Sequence, residues 1–105
     1  MTRRSLSISD DKAVELAEMF RLMGDASRLK IVLTCLRRAR CVTEIADKTR
    51  LSASLVSHHL RLLRAARMLR AERKGKQVYY VAADNHVRCV IEDMVAHVTE
   101  SDSST

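Results

Sequence analysis

The sequence predicts a mainly α fold of the α+β class, in which one β-hairpin lies between helices. Apolar residues recur three or four positions apart over most of residues 10–66, which is the spacing of amphipathic helices. From Met68 to Val81 the period changes to two, with β-branched and aromatic residues, as in short strands. Helical spacing returns from about Asn85 to Thr99. We therefore expect four helices, a hairpin and a last helix.

The chain of 105 residues is long enough for one domain with its own core. We expect this domain to span residues 1–105, with residues 1–9 and 101–105 as disordered tails. No apolar run approaches the roughly 20 residues that span a membrane, and the N-terminus lacks the apolar stretch of a signal peptide. The expectation is therefore a cytoplasmic protein with no membrane partner.

Basic residues are concentrated in one part of the chain. The net charge is +6, and eight Lys or Arg residues from Arg50 to Lys76 are set against a single acid, Glu72. Beyond Lys76 the acids outnumber the bases. A local basic surface of this kind predicts an acidic partner, and the elements described next indicate double-stranded DNA.

The first three helices are predicted from apolar stripes and from their end signals. The first begins near Asp10 and ends at Gly24, and Asp25 can cap the second. A short third helix follows over about Thr43 to Thr49. The expected core residues are Ala13, Leu16, Ala17, Phe20 and Met23 in the first helix, Leu29, Val32, Leu33 and Leu36 in the second, and Ile45 and Ala46 in the third.

The stretch from Leu51 to Leu63 is predicted to contain the recognition helix of a helix-turn-helix, with Ser52 as its N-cap. One face of this helix is expected to be buried and comprises Val56, His59, Leu60 and Leu63. The opposite face can donate hydrogen bonds to phosphates or base edges and comprises Ser54, Ser57, His58 and Arg61. From this stretch alone, an ordinary amphipathic surface helix stays open as an alternative.

A hairpin directly after a recognition helix predicts a wing. Its strands, Met68–Arg73 and Gln77–Val81, are joined through Gly75, which can adopt the positive φ of a tight turn. Three cations at the tip would contact phosphates or a minor groove: Arg73, Lys74 and Lys76. A solvated hairpin without a partner is the alternative. The whole pattern predicts a winged helix-turn-helix.

The last helix has the cleanest apolar stripe in the chain. The stripe consists of Val87, Val90, Ile91, Met94, Val95 and Val98. This much apolar surface at the end of a small domain, beside a first helix that is also apolar, predicts a homodimer that joins through its first and last helices.

Four potential metal ligands accompany the last helix, namely Asp84, His86, His97 and Glu100. The two His residues are 11 positions apart. They therefore lie within about 20° of each other around the helix axis but about 16 Å apart along it. Two antiparallel copies would bring the first pair of one copy to the second pair of the other, which gives two equivalent sites. Two imidazoles and two carboxylates suit Zn(II), with Co(II) and Ni(II) as further candidates. Solvated surface residues are the alternative.

The three cysteines, Cys35, Cys41 and Cys89, form no CxxC pair, so a disulfide framework is not expected. Buried apolar residues are the default interpretation of all three. Reactive thiols and thiolate ligands are the alternatives.

The sequence resembles the ArsR/SmtB family of winged-helix, metal-sensing bacterial repressors from about Leu16 to Glu100. The matching segments are FRLMGDASRLKIVLTCL, CVTEIADKTRLSASLVSHHLRLLRAARML, ERKGKQVYY and DNHVRCVIEDMVAHVTE. The resemblance implies a homodimer that binds a twofold-related operator through recognition helices and wings, and that leaves the DNA when it binds an inducer. It also implies DNA contacts for Ser54, Ser57 and His58.

The resemblance also concerns the metal. In the zinc- and cobalt-responsive branch, the ligands are an Asp-x-His pair and, after ten intervening residues, a His followed at the third position by a carboxylate or a second His. All four ligand positions are matched here, by Asp84, His86, His97 and Glu100. By the same resemblance, a ligated His97 would contact the end of the recognition helix near Leu63 to Arg67. The family's other common site needs a Cys-x-Cys pair, but here Cys41 stands alone. Cys41 is therefore kept only as a possible thiol ligand.

These observations predict a transcriptional repressor and not an enzyme: the apo homodimer binds operator DNA, and Zn(II) releases it. The first alternative is a repressor of the same fold that senses redox or sulfur species, or a soft metal, through cysteine thiols. A constitutive DNA-binding protein and a small zinc hydrolase are further alternatives. The hydrolase is disfavoured because four protein ligands leave no open coordination position.

Overall fold

The computed structural model describes the backbone of residues 6–103 and the side chains of residues 6–100. The predicted tail residues 1–5 and 104–105 lie outside this part. The elements in order are α1 (Asp10–Met23), α2 (Ala26–Thr34), β1 (Arg40–Cys41), α3 (Val42–Thr49), α4 (Ala53–Ala65), β2 (Leu69–Lys74), β3 (Gln77–Ala82) and α5 (Asn85–Ser103). The predicted fold class is confirmed, and α5 continues beyond its predicted end at Thr99. No helix among the described residues is long and apolar enough to span a membrane.

Side-chain caps begin the first two helices. Ser9 accepts a hydrogen bond from the backbone N–H of Lys12 at 3.2 Å and so begins α1. Gly24 keeps a right-handed φ of −74°, and the helix stops because the backbone of Asp25 is extended. Asp25 then caps α2 by accepting from the N–H of Arg28 at 3.0 Å, as predicted.

A left-handed residue makes the turn between α3 and α4. Arg50 has a φ of 63°, and its N–H donates to the carbonyl oxygen of Ala46 at 2.8 Å. Such a backbone is strained for a residue that has a Cβ. Two residues later, Ser52 accepts from the N–H of Leu55 at 3.1 Å and begins α4. The predicted helix-turn-helix and its N-cap are therefore confirmed.

The sheet contains the predicted hairpin and one further strand. β2 and β3 are antiparallel, with Lys74 opposite Gln77 across a turn in which Gly75 has a φ of 63°. β1 pairs with Tyr79 and Tyr80 of β3, so the strand order is β1-β3-β2. The sequence did not predict β1, because two residues are too few to show an alternation.

The core lies where α2, α3, α4 and the hairpin meet. It consists of Leu22, Ile31, Val32, Cys35, Leu36, Ile45, Val56, Leu60, Leu63, Met68, Leu69, Ala82 and Ile91. All four residues predicted for the buried face of α4 are buried. This packing fixes the orientation of α4, so its opposite face is held outward.

The inward faces of α1 and α2 differ from the prediction. In α1, Leu22 is buried, whereas four of the five predicted core residues are exposed: Ala13, Leu16, Ala17 and Phe20. In α2, Val32 is buried as predicted, but Ile31 is buried as well and Leu33 is exposed. Cys35 and the predicted Leu36, which follow the helix, are also buried. The prediction was wrong for the four α1 residues and for Leu33, because both helices are apolar on more than one side and spacing alone does not decide which side faces the core.

An exposed apolar surface extends over α1 and α5. We call it the α1–α5 face and define it by Leu16, Phe20, Val90, Met94 and Val98. An apolar groove of about 200 Å³ runs between the two helices within this face. The predicted stripe of α5 is thus present, but Ile91 is its one buried residue among those described.

Candidate nucleic-acid interface and metal site

α4 presents a polar face away from the core. Ser54, His58 and Arg61 are exposed on it, and Ser57 is half-buried. The structure therefore brings the four residues predicted to contact DNA together on one side of the helix. Hydroxyl, imidazole and guanidinium groups in this arrangement can donate to base edges and phosphates.

The second histidine of α4 belongs to the core. His59 is 7% exposed, and its Nδ1 has no hydrogen-bond partner within the described residues. Burial is the main reason that the pKa of His59 lies below its ordinary value; Arg28 and His58 lower the pKa further, and Asp25 opposes them. His59 is therefore a neutral packing residue, as its place on the predicted apolar face indicated.

The tip of the β2–β3 hairpin is basic and exposed. Arg73, Lys74 and Lys76 all lie at the surface. The Lys74 ammonium is 5.7 Å from the centroid of the Tyr79 ring, a cation–π arrangement that holds it over the strands. Arg73 and Lys76 have no acidic partner in the part of the chain that the structure describes. Their charge is therefore available to a phosphate.

Two arginines of the basic stretch are paired with acids. Arg67, which follows α4 with a φ of 61°, forms an ion pair with Glu15 of α1. Arg70 of β2 donates to Glu72 at 2.7 Å and to the carbonyl oxygen of Ala83 at 3.3 Å. The positive charge of Arg67 and Arg70 is thus already partly neutralised within the chain.

The predicted metal ligands lie at the two ends of α5. Asp84 caps the helix, since its Oδ1 accepts from the N–H of Val87 at 3.0 Å, and its second oxygen can take a ligand. His86 follows two positions later, and at 1.5 Å per residue His97 lies about 16 Å and Glu100 about 21 Å from His86 along the axis. No group of three or more His, Cys, Asp or Glu that could hold a metal occurs within the described residues. The four residues can therefore meet around one ion only across two copies of the chain.

The cysteines divide into two buried thiols and one exposed thiol. Cys35 and Cys41 are buried as expected, but Cys89 is exposed, so the default interpretation is wrong for it. Burial raises the pKa of Cys35 to about 12. Cys41 precedes α3, where its Sγ is 3.3 Å from Oγ1 of Thr43 and its N–H donates to Glu44 at 3.0 Å. Its position is thus structural, at a helix start.

Two residues that the sequence pattern did not indicate, Arg64 and Tyr80, line a groove on the strand side of α4. The α4–β3 groove, as we call it, has a volume of about 430 Å³ and is lined by Ser57, Leu60, Arg61, Arg64, Ala65 and Tyr80. Helical spacing after Ser57 and Arg61 was the available signal for Arg64. No spacing links Tyr80 to α4, because this contact depends on how the sheet packs against the helix.

A helix-turn-helix followed directly by a basic hairpin defines the winged helix-turn-helix class of DNA-binding domains. Residues 25–71 match the family described as bacterial regulatory protein, arsR family. The chain is 40% identical over 95 residues to a transcriptional repressor SmtB homolog of Synechocystis sp., a match that covers 90% of this chain and 72% of that protein. It is 30% identical over 101 residues to the cadmium resistance transcriptional regulatory protein CadC homolog of Staphylococcus aureus. That match covers 95% of this chain and 84% of that protein. The chain belongs to the ArsR family.

A solved structure supports the fold. It is the solution structure of a homodimeric winged helix-turn-helix DNA-binding domain from Mycobacterium bovis, with a TM-score of 0.82 and 23% identity over 96% of each chain. This likeness confirms the predicted winged helix-turn-helix architecture. The relatives named above are transcription regulators and not enzymes, which confirms that part of the prediction.

Proposed function

We propose that this protein is a metal-responsive transcriptional repressor. Its metal-free homodimer binds double-stranded operator DNA and is released by Zn(II), with Co(II) or Ni(II) as alternative inducers. The main support is α4, whose buried face fixes the helix on the core while Ser54, His58 and Arg61 stay exposed. The basic wing tip follows this helix directly along the chain. The two elements supply donors for base edges and cations for phosphates.

The α1–α5 face supports the homodimer. Phe20 and Met94 on this face are more than half exposed in a single chain. Contiguous exposed apolar surface of this kind is typical of protein interfaces. A twofold dimer joined here would present two recognition helices to the two halves of an operator. The similar domain from Mycobacterium bovis is itself homodimeric.

The proposed metal ligands are Asp84 and His86 of one copy with His97 and Glu100 of the second copy. Two imidazole nitrogens and two carboxylate oxygens match the ligands that tetrahedral zinc prefers. Cobalt accepts the same donors, whereas nickel would need additional ones. All four side chains are exposed, so a second copy can reach them. A relative named for cadmium resistance also supports a metal as the inducer.

The release of DNA follows from thermodynamic linkage. Metal must bind more tightly to the dimer conformation that has the lower affinity for DNA, and DNA then weakens metal binding by the same factor. Ligands supplied by two copies fix the relative position of those copies. Because α4 is packed rigidly in each domain, the spacing between the two recognition helices changes with that position.

The test is fluorescence anisotropy of a labelled duplex taken from the DNA upstream of the gene. The protein is titrated at fixed salt, first with a chelator and then with stoichiometric Zn(II), because affinities depend steeply on salt. We expect tight binding with the chelator and at least about a tenfold loss of affinity with zinc, within the usual range of coupling between two ligands. No binding in either condition would contradict the repressor. Tight binding that zinc leaves unchanged would contradict the metal response.

Substitution of one ligand separates DNA binding from induction. His97→Ala should bind the duplex like the wild type when the chelator is present, but zinc should no longer release it. Cys89→Ala is the control, since it is also a small substitution at an exposed position of α5. We expect this control to be released normally. A His97→Ala variant that zinc releases as well as the wild type would contradict the assignment of His97.

A further inference from the structure

The α4–β3 groove adjoins the proposed DNA-reading face and extends beyond it. Ser57 and Arg61 belong to both surfaces, whereas Arg64 and Tyr80 line only the groove. Arg64 follows Ser57 by seven positions, so it lies two helical turns further on and about 10 Å along the axis on the same side. The groove therefore continues the polar face of α4 toward the end of the helix.

Arg64 differs from the arginines that follow it in the sequence. Arg67 and Arg70 are paired with Glu15 and Glu72. Arg64 is exposed and has neither an acidic partner nor a side-chain hydrogen bond in the part of the chain that the structure describes. Its charge is thus available to a ligand, whereas the charges of the two later arginines are already engaged.

The other side of the groove is formed by the sheet. Tyr80 is half-buried in β3, which fixes its backbone between β1 and β2. Its hydroxyl makes no hydrogen bond to any described residue, and a phenol can donate one. Leu60 and Ala65 complete the lining between Tyr80 and the arginines. A cleft with cations on one wall and a phenol on the other suits an anion.

We propose that the α4–β3 groove binds a phosphate of the DNA backbone, with Arg64 as its main cation and Arg61 and the Tyr80 hydroxyl as further donors. This proposal rests on the proposed function, because it requires α4 to face DNA. The groove lies between the recognition helix and the strands of the wing. A backbone strand that borders a major groove occupied by α4 would pass this position. The contact positions the protein and is independent of sequence.

The test uses the salt dependence of DNA affinity. The full-length protein is titrated onto the upstream duplex and onto a scrambled duplex at several KCl concentrations, with chelator present throughout. Each phosphate that is neutralised contributes about 0.9 to the slope of log affinity against log salt. Arg64→Ala should therefore reduce the slope by about 0.9 for each copy bound, and it should weaken both duplexes by the same factor. Arg70→Ala is the matched control, because it removes the same charge from an arginine that is already paired.

Two further variants test whether the loss of DNA affinity comes from the missing charge of Arg64 or from misfolding. Arg64→Lys keeps the charge and should restore most of the slope, and Tyr80→Phe should weaken both duplexes without changing the slope. Circular dichroism and the thermal midpoint verify that each variant is folded. An Arg64→Ala slope equal to that of the wild type, or a loss that Arg70→Ala reproduces, would overturn the proposal. If the wild type binds the duplex with the chelator and is released when zinc replaces the chelator, such a result leaves the proposed function intact.

Discussion

Removal of the Phe20 ring should weaken the proposed homodimer. Phe20 is 63% exposed in the single chain. A Phe side chain has about 200 Å² of surface, so a dimer that covers Phe20 would bury roughly 125 Å² of it per copy. At 25 cal/mol per Å², this burial is worth about 3 kcal/mol per copy. Association has its own costs, so we take about half of the total for two copies, or about 3 kcal/mol per dimer. Phe20→Ala should therefore raise the dimer dissociation constant about 100-fold.

Sedimentation equilibrium at several protein concentrations measures this dissociation constant. Val14→Ala is the matched control, since Val14 is also an exposed apolar residue of α1 but does not line the groove toward α5. We expect Val14→Ala to change the dissociation constant by less than about threefold, that is, by less than about 0.7 kcal/mol. A Phe20→Ala protein that dimerises like the wild type would refute the assignment of the α1–α5 face to the dimer.

Two predictions concern the stability of the domain. Arg50 has a φ of 63°, so Arg50→Gly should raise the free energy of unfolding by roughly 0.5 to 1 kcal/mol, whereas Arg50→Ala should not. Urea denaturation measures both variants. Equal unfolding midpoints for the two would count against strain at this turn. The pKa of His59 is lowered below 6.5, so stability is fully present above pH 6.5 and is lost as the pH falls through the lowered pKa. His59→Leu should remove this loss, and the wild type should weaken more than the variant between pH 7.5 and pH 5. A difference in stability that does not depend on pH would contradict the burial of a neutral imidazole.

The helix-turn-helix could be predicted from the sequence because its signals are local. The spacing of Val56, Leu60 and Leu63 selects one face of α4, and Ser52 can cap only the helix that follows it. The hairpin is equally local, since the alternation of its strands and Gly75 lie within a few residues of one another. In such elements the residues that determine the structure are neighbours in the chain.

The remaining features depend on packing between distant segments. Leu16 and Phe20 were expected in the core, but Leu22 lies there instead. The reason is that α1 is apolar both on the side that faces the core and on the side that faces α5. Tyr80 reaches the groove of α4 only through the position of the sheet. The spacing of Asp84 and His97 indicates a ligand set, but a single chain holds these residues too far apart to test it. Each of these features requires knowledge of which surfaces meet.

Asp84 and His86, one half of the proposed ligand set, lie close to the end of the recognition helix. His86 lines the same apolar groove as Phe20 of α1 and Met68, the core residue that follows α4 by three positions. Arg67, which follows α4 by two positions, lines a second cavity together with His86 and is paired with Glu15 of α1. A displacement of His86 upon metal binding would therefore act on side chains that already contact the end of α4. In the proposed mechanism, coupling between the metal ligands and the DNA-reading face would pass through this one packed layer, because α1 lines the groove and also pairs through Glu15 with Arg67.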